Sequence, residues 1–263
     1  MNKLTIIAFT LVTLLSSCKQ YVQIYEVKSS NVKKESKTYI YENDSIKITY
    51  DFWIERGLVN FNIFNKQNIP LYIDWRKSSF VDNVVKLDYW QEETNTSAIN
   101  SGYYFHTPIT AYNNSKSKST SIKKERITFI PPNSQFSKKD FYILLKDDFY
   151  LLDTNCNVKT EKRNNNKKKE TTVYEKEYSL EDSPFVFRNF LTYSFSEDFK
   201  EEYYIDNQFY VNKIQEIDIR HFQSLNVKKE TMTYYYKDST KFYLKILDSY
   251  KSVAKRKRTL WKL

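Results

Sequence analysis

The chain has 263 residues, which is enough for one large all-β domain or two small ones. Its 23 tyrosines and 18 phenylalanines are ample core material for sheets, and its two glycines exclude phosphate-binding sites built on glycine-rich loops. The formal net charge of +10 is explained by AT-rich coding, which raises lysine, or alternatively by attraction to an anionic lipid or glycan surface; the first explanation is favoured, because net charge alone argues only weakly about partners.

Residues 1–17 have the organisation of a secretory leader. A positive charge at Lys3 precedes an apolar run over 4–15, and two small serines follow. This order is typical of a signal peptide, and the apolar run is shorter than the about 20 residues that a membrane-spanning helix needs. We therefore predict a signal peptide over 1–17.

The end of this leader contains a more specific pattern. Leu15-Ser16-Ser17-Cys18 resembles the lipobox of bacterial lipoproteins, and the resemblance implies that Cys18 becomes the first mature residue and carries the lipid, with acyl chains such as palmitate. Two or more acyl chains hold a protein on a bilayer. The alternative is an ordinary signal peptide that contains a cysteine by chance.

The residues after Cys18 bear on the location. Lys19 stands where an aspartate would favour the inner membrane, and no acidic residue occurs before Glu26. This favours the outer membrane, with the protein facing the periplasm, and cell-surface exposure is the alternative. Residues 21–27 are rich in aromatic and β-branched types and are predicted to be extended, whereas the polar stretch 28–38 is predicted to be a linker. Residues 18–38 thus form a lipidated terminus, a short strand and a linker.

The strongest structural pattern lies in residues 45–81. Apolar and polar residues alternate over 46–52 and again over 59–63, as in two half-buried strands. Gly57 between them accommodates the positive φ of a turn, so a β-hairpin is predicted. A third extended run is expected at 71–75, after the turn-forming residues 65–70.

Further short strands with polar turns are predicted down to residue 250, some ten to fourteen in all. Residues 113–120 are expected to be mobile, 161–171 to be a charged loop and Asn207 to mark a turn. No stretch has a helical period longer than about two turns. We therefore predict an all-β fold, a single elaborated antiparallel β-sandwich over 39–250, followed by a basic tail over 251–263.

Several short runs resemble lipoproteins of Bacteroidota that have no assigned activity: YDFW (50–53), NK (65–66), PLYIDW (70–75), SSF (78–80), PFVFRNF (184–190) and YS (193–194). The resemblance implies an envelope location and an immunoglobulin-like sandwich. It implies no catalytic residues.

Residues with catalytic potential are few. His106 and His221 lack a nearby cysteine or second histidine, whereas a zinc site needs three or four converging ligands. Adjacent acids point to opposite faces of a strand, so they do not form an acid–base pair by themselves; they occur at Glu92-Glu93, Asp147-Asp148 and Glu201-Glu202. Cys156 lacks an intrachain partner if Cys18 is lipidated, and is then a free thiol or pairs between chains.

Two groups of residues are candidates for binding. Trp53, Trp75 and Trp90 form either a sugar-stacking platform or part of the core, and Arg76 adds a charged group beside Trp75. The basic run in the tail is either a solvated end or a contact with anionic head groups; its residues are Lys255, Arg256, Lys257 and Arg258. Nucleic-acid binding is not expected for an exported protein.

These observations predict a non-enzymatic lipoprotein, anchored to the membrane through Cys18, that binds or scaffolds an envelope protein or glycan. The alternative is a carbohydrate-binding accessory lipoprotein of a glycan-uptake system, and an enzyme is the third choice. No metal and no cofactor is predicted.

Overall fold

The computed structural model describes residues 20–90, 94–106, 111–123, 125–145, 150–152, 155–226 and 229–247. Within these ranges the regular secondary structure is β-strand apart from one four-residue helix. The predicted signal peptide, Cys18 and the basic tail lie outside the described residues.

Nineteen strands are described. The first ten are β1 (Gln20–Ser29), β2 (Lys33–Glu35), β3 (Thr38–Glu42), β4 (Ile46–Asp51), β5 (Leu58–Asn65), β6 (Leu71–Asp74), β7 (Ser79–Asp82), β8 (Val85–Asp88), β9 (Thr94–His106) and β10 (Ala111–Lys123). The others are β11 (Ile127–Ile130), β12 (Gln135–Tyr142), β13 (Asn157–Lys162), β14 (Glu170–Glu177), β15 (Val186–Ser194), β16 (Tyr203–Asp218), β17 (Gln223–Asn226), β18 (Thr231–Tyr234) and β19 (Lys241–Leu247). The helix α1 (Ile219–Phe222) lies between β16 and β17.

Two large sheets contain most of these strands. A ten-stranded sheet has the order β11-β6-β15-β16-β1-β19, with β14 and then β13 added beside β16, and β7 and then β8 added beside β15. A five-stranded sheet has the order β12-β5-β4-β3-β2. Two separate hairpins, β9–β10 and β17–β18, complete the described strands. The strand pairs are antiparallel throughout.

The predicted hairpin is confirmed as β4 and β5. Both strands alternate between buried and half-exposed positions, as their sequence pattern indicates. The third predicted strand, β6, is also present, but it belongs to the other sheet. Residues 45–81 therefore supply strands to both layers of the fold.

The main core lies between the two sheets. It combines Ile48, Tyr50 and Phe61 of the five-stranded sheet with side chains such as Phe187 and Phe209 of the ten-stranded sheet. Aromatic rings dominate the contact; the centroids of Tyr50 and Phe209 are 4.8 Å apart. The two facing antiparallel sheets confirm the all-β sandwich.

A second, smaller core lies on the outer face of the ten-stranded sheet. Val22 and Ile24 of β1 pack there, because alternate residues of this strand point away from the main core. Phe222 of α1 and Tyr234 of β18 cover them, so α1 and the β17–β18 hairpin form a lid over this part of the sheet.

Two predictions of local structure are wrong. The expected linker at 28–38 contains the end of β1, all of β2 and the start of β3. Asn207 marks no turn, because β16 runs straight through it and buries its side chain in the main core. The tract 113–120, predicted to be mobile, lies within β10, paired with β9. The charged loop is present but narrower, over 163–169.

Candidate functional site

The indole of Trp75 is not available for ligand stacking in this structure. It is 3% exposed, because the chain turns into the main core directly after β6. Its Nε1–H donates to Thr128 Oγ1 at 2.7 Å, and Lys138 Nζ lies 4.4 Å from the ring centroid. One face of the ring is thus occupied by a cation from the chain itself.

The other two tryptophans do not extend Trp75 into a platform. Trp53 packs against the second core, where its ring centroid is 5.2 Å from Tyr243 and 6.0 Å from Phe222. Trp90 packs against the main core, as Trp75 does. Trp53 and Trp75 therefore belong to different cores and fulfil packing roles.

The charged turn after β6 is organised by Asp74. This carboxylate is 1% exposed; its Oδ1 accepts from the backbone N–H of Arg76 at 2.9 Å, and its Oδ2 lies 3.0 Å from Arg126 Nη2. The same hydrogen bond raises the pKa of Arg126. Arg76 itself is exposed, and its side chain forms no ion pair within the described chain. Lys77, its neighbour, pairs with Glu202.

An aromatic surface that was not predicted from the sequence lies on the outer face of the ten-stranded sheet. We call it the outer strip; its members are Tyr72, Phe129, Phe190 and Tyr204. Phe129 is 52% and Tyr204 59% exposed, whereas Tyr72 and Phe190 are half-buried. Tyr72 contacts Phe129 with centroids 5.6 Å apart, and Phe190 stacks on Tyr204 at 5.9 Å.

Strand register places these rings on one face. Tyr72 is opposite Phe129 on one side and Ser194 on the other, and Thr192 is opposite Tyr204. Thr192 and Ser194 lie between the two aromatic pairs, but both are fully buried, and Thr192 Oγ1 donates to Lys77 O at 3.1 Å. The strip therefore consists of two separate ring pairs on one face. The alternation of side chains along each strand can be read from the sequence. Which of the two faces is exposed depends on how the strands pair.

Charged groups flank the outer strip. Tyr204 Oη donates to Glu202 Oε2 at 2.8 Å, and Glu202 also binds Lys77. On the other side, Arg188 Nη1 lies 2.5 Å from Asp206 Oδ2, next to Phe190. Exposed rings bordered by hydrogen-bonding groups are the chemistry that a sugar or a polar protein surface requires.

His221 is a buried residue of α1, 1% exposed. Asn164 donates its backbone N–H to His221 Nδ1 at 3.1 Å, so the neutral ring carries its proton on Nε2, which lies 3.4 Å from Glu161 Oε2. Burial lowers the pKa of His221, and the nearby Glu161 carboxylate opposes this effect. Both ring nitrogens face other groups of the chain. The hydrogen bond from Asn164 connects α1 to the loop after β13, and Nε2 faces Glu161 of β13.

The remaining candidates do not converge. Glu201 and Glu202 accept hydrogen bonds from two different tyrosines, Tyr203 and Tyr204. Cys156 is a half-buried free thiol, and His106 pairs with Ala111 at the end of the β9–β10 hairpin. In the described part of the chain no three His, Cys, Asp or Glu residues are placed to hold a metal ion.

Other predicted residues lie outside the described ranges: Cys18, Glu92, Glu93, Asp147, Asp148, Lys255, Arg256, Lys257 and Arg258. Across the ranges that are described, no helix is long and apolar enough to span a membrane. Comparison with known proteins found no matching family model, no matching curated protein and no matching solved structure.

Proposed function

We propose that this chain is a non-enzymatic envelope lipoprotein, anchored through Cys18 in the outer membrane and facing the periplasm, whose β-sandwich binds or scaffolds another envelope component. The observation that carries the proposal is the sequence Leu15-Ser16-Ser17-Cys18. An immunoglobulin-like strand arrangement and a relation to Bacteroidota lipoproteins belong to the same proposal.

The start of β1 supports an anchor at this position. The strand begins at Gln20 and is hydrogen-bonded on both sides, to β16 and to β19. Cys18 is two residues away, so its Cα lies within about 7 Å of that of Gln20. A lipid on Cys18 would therefore hold the sheet directly at the membrane surface.

Cys18→Ala is expected to abolish incorporation of labelled palmitate and to release the protein from the membrane fraction, because the thioether is the attachment point. Cys156→Ser is the matched control, since it removes the other cysteine, and should leave both properties unchanged. Labelling of the Cys18→Ala chain, or its loss in Cys156→Ser, would contradict the proposal.

The second candidate function, carbohydrate binding, is favoured by one observation, the outer strip. It replaces the predicted tryptophan platform with exposed rings on Phe129 and Tyr204, flanked by Lys77, Glu202 and Arg188.

Tyr204→Ala and Phe129→Ala should each weaken binding to a polysaccharide at least about tenfold, because truncating an aromatic anchor costs about 1.4 kcal/mol or more. The measurement is retardation of the protein in gels containing soluble starch, mannan or xyloglucan. Tyr142→Ala, which removes a ring that is 44% exposed in the five-stranded sheet, is the control. Equal retardation of all variants, or none for the parent, would exclude this function.

A further inference from the structure

Both ends of the described chain lie at the same end of the ten-stranded sheet. Gln20, at the start of β1, is paired with Leu247, at the end of β19. From Gln20 the chain leads to Cys18, and from Leu247 it leads to the basic tail. Lys251 is four residues beyond Leu247, so the tail starts within about 14 Å of it.

The loop after β13 projects from this same end. Glu216 of β16 is opposite Gln23 on one side and Tyr174 on the other. Because β1 and β14 are both antiparallel to β16, they run in the same direction. Their first residues, Gln20 and Glu170, therefore lie at one end of the sheet, two strand spacings or about 10 Å apart.

We call residues 163–169 the lysine loop, and the fold holds it in a defined shape. Arg163 N–H donates to Lys169 O at 2.8 Å, and Lys169 N–H donates to Asn166 O at 3.0 Å. Asn164 fastens the loop to α1, since its backbone N–H and its Nδ2 bind Nδ1 and the carbonyl oxygen of His221. Backbone atoms and asparagines make these contacts, and of the three lysines Lys167 adds a hydrogen bond from Nζ to Asn164 Oδ1 at 3.3 Å.

The charge of this loop is largely uncompensated. Lys167, Lys168 and Lys169 are exposed, and none of them forms an ion pair with a described residue. Asp218 is the carboxylate closest to the arginines here; its Oδ2 lies 3.7 Å from Arg163 and 2.6 Å from Arg220. The loop therefore presents three cations beyond the end of the sheet that have no counter-ion among the described residues.

We propose that the lysine loop contacts the anionic phospholipid head groups of the leaflet that holds the Cys18 lipid, and so fixes the orientation of the sandwich on the membrane. This inference rests on the proposed anchor. Glu170, which follows the loop, and Gln20, two residues after Cys18, lie about 10 Å apart across the sheet, close to the Debye length of about 8 Å at physiological salt. The contact leaves the outer strip and the five-stranded sheet away from the anchor end.

The test uses the chain from residue 18 onward with Cys18→Ala, which retains every described residue and has no lipid. Co-sedimentation with vesicles of phosphatidylcholine, with and without phosphatidylglycerol, measures the contact. Each lysine near a charged surface contributes about fivefold to binding, the ratio that corresponds to about 1 kcal/mol. The triple variant Lys167→Gln, Lys168→Gln, Lys169→Gln should therefore lose at least about tenfold in binding to anionic vesicles.

A charge-matched control changes Lys33, Lys34 and Lys37 to Gln. These exposed lysines follow the opposite end of β1, where Tyr39 Oη donates to Val27 O. The control should bind as the parent does. Equal losses of binding for the two triple variants would show non-specific attraction by net charge and would overturn the proposal. No loss of binding for the loop variant, or no binding by the parent, would also overturn it.

A second measurement tests orientation in the lipidated protein. With Cys156→Ser in place, a fluorophore on Lys168→Cys should be quenched by a head-group-labelled lipid more strongly than a fluorophore on Lys34→Cys. Equal quenching would overturn the proposed orientation. Failure of the anchor itself appears separately, as absent palmitate labelling, and does not affect vesicle binding by the lipid-free chain.

Discussion

Gly57→Ala is expected to lower the free energy of unfolding by about 2–5 kcal/mol, a large fraction of the total for most domains. Two costs add. Gly57 has φ +65°, a conformation that disfavours any Cβ. A Cβ at this position would also lie 2.8 Å from Phe242 Cγ and 3.0 Å from Ile143 Cδ1.

The position of Gly57 explains why neither cost is easily relieved. Ile143 N–H donates to Gly57 O at 2.9 Å, and the neighbouring Arg56 also has a positive φ, of 71°. The connection between β4 and β5 is thus fixed against β19 and against the segment that follows β12. Phe242 is buried in the main core, so the ring has no room to withdraw.

Urea denaturation followed by tryptophan fluorescence measures this effect as a lower midpoint at unchanged slope. Gly102→Ala is the control, because it changes the only other glycine, which is opposite Ser115 in the β9–β10 pair. Alanine is tolerated in a strand interior, so this change should be neutral or slightly stabilising. A similar loss in both variants would mean that the turn geometry is not the cause.

The sequence predicted those features of the fold that depend on local alternation. The hairpin of β4 and β5 was predicted because buried and half-exposed positions alternate strictly in both strands. No helix was predicted because no stretch keeps a helical period, and among the described residues α1 is the one helix. What local patterns did not contain is the partner of each strand; β6 follows β5 closely in the chain and yet joins the other sheet.

The sequence did not predict the candidate surfaces either, because exposure and long-range strand pairing determine them. With 23 tyrosines and 18 phenylalanines, the residue type does not identify the four rings that face solvent in the outer strip. Likewise, the common end of the sheet at which Gln20, Leu247 and the lysine loop lie follows from long-range register, such as that of Gln20 with Leu247. Trp75 was a candidate because its ring can stack on a sugar and Arg76 lies beside it, but residue type does not determine exposure.

Asn207 was misassigned because asparagine usually favours turns in sequences. In the structure it is opposite Asn189 on the inner face of the ten-stranded sheet. Both amides donate through Nδ2 to Tyr50 Oη in the other sheet, at 2.7 Å from Asn207 and 3.0 Å from Asn189. Tyr89 Oη donates to Asn189 Oδ1 at 2.9 Å, which extends the network.

Tyr50→Phe is therefore expected to cost about 2–4 kcal/mol although it removes a single oxygen. The hydroxyl is fully buried, and its burial raises the pKa of Tyr50, so it stays protonated. Without it, the amides of Asn189 and Asn207 each keep a buried donor with no partner, at about 1–3 kcal/mol per donor. Chemical denaturation measures the loss, and Tyr142→Phe, at a 44% exposed ring, should change stability little.

Asn207→Leu separates this mechanism from simple packing. It removes one of the two donors and also Asn207 Oδ1, a buried oxygen that has no partner within the described structure. Tyr50 Oη keeps its bond from Asn189, so this variant should cost less than Tyr50→Phe even though it changes more atoms. If Asn207→Leu proves the more damaging of the two, the contact between the sheets depends on side-chain shape at β16 and not on the hydrogen bonds that converge on one hydroxyl.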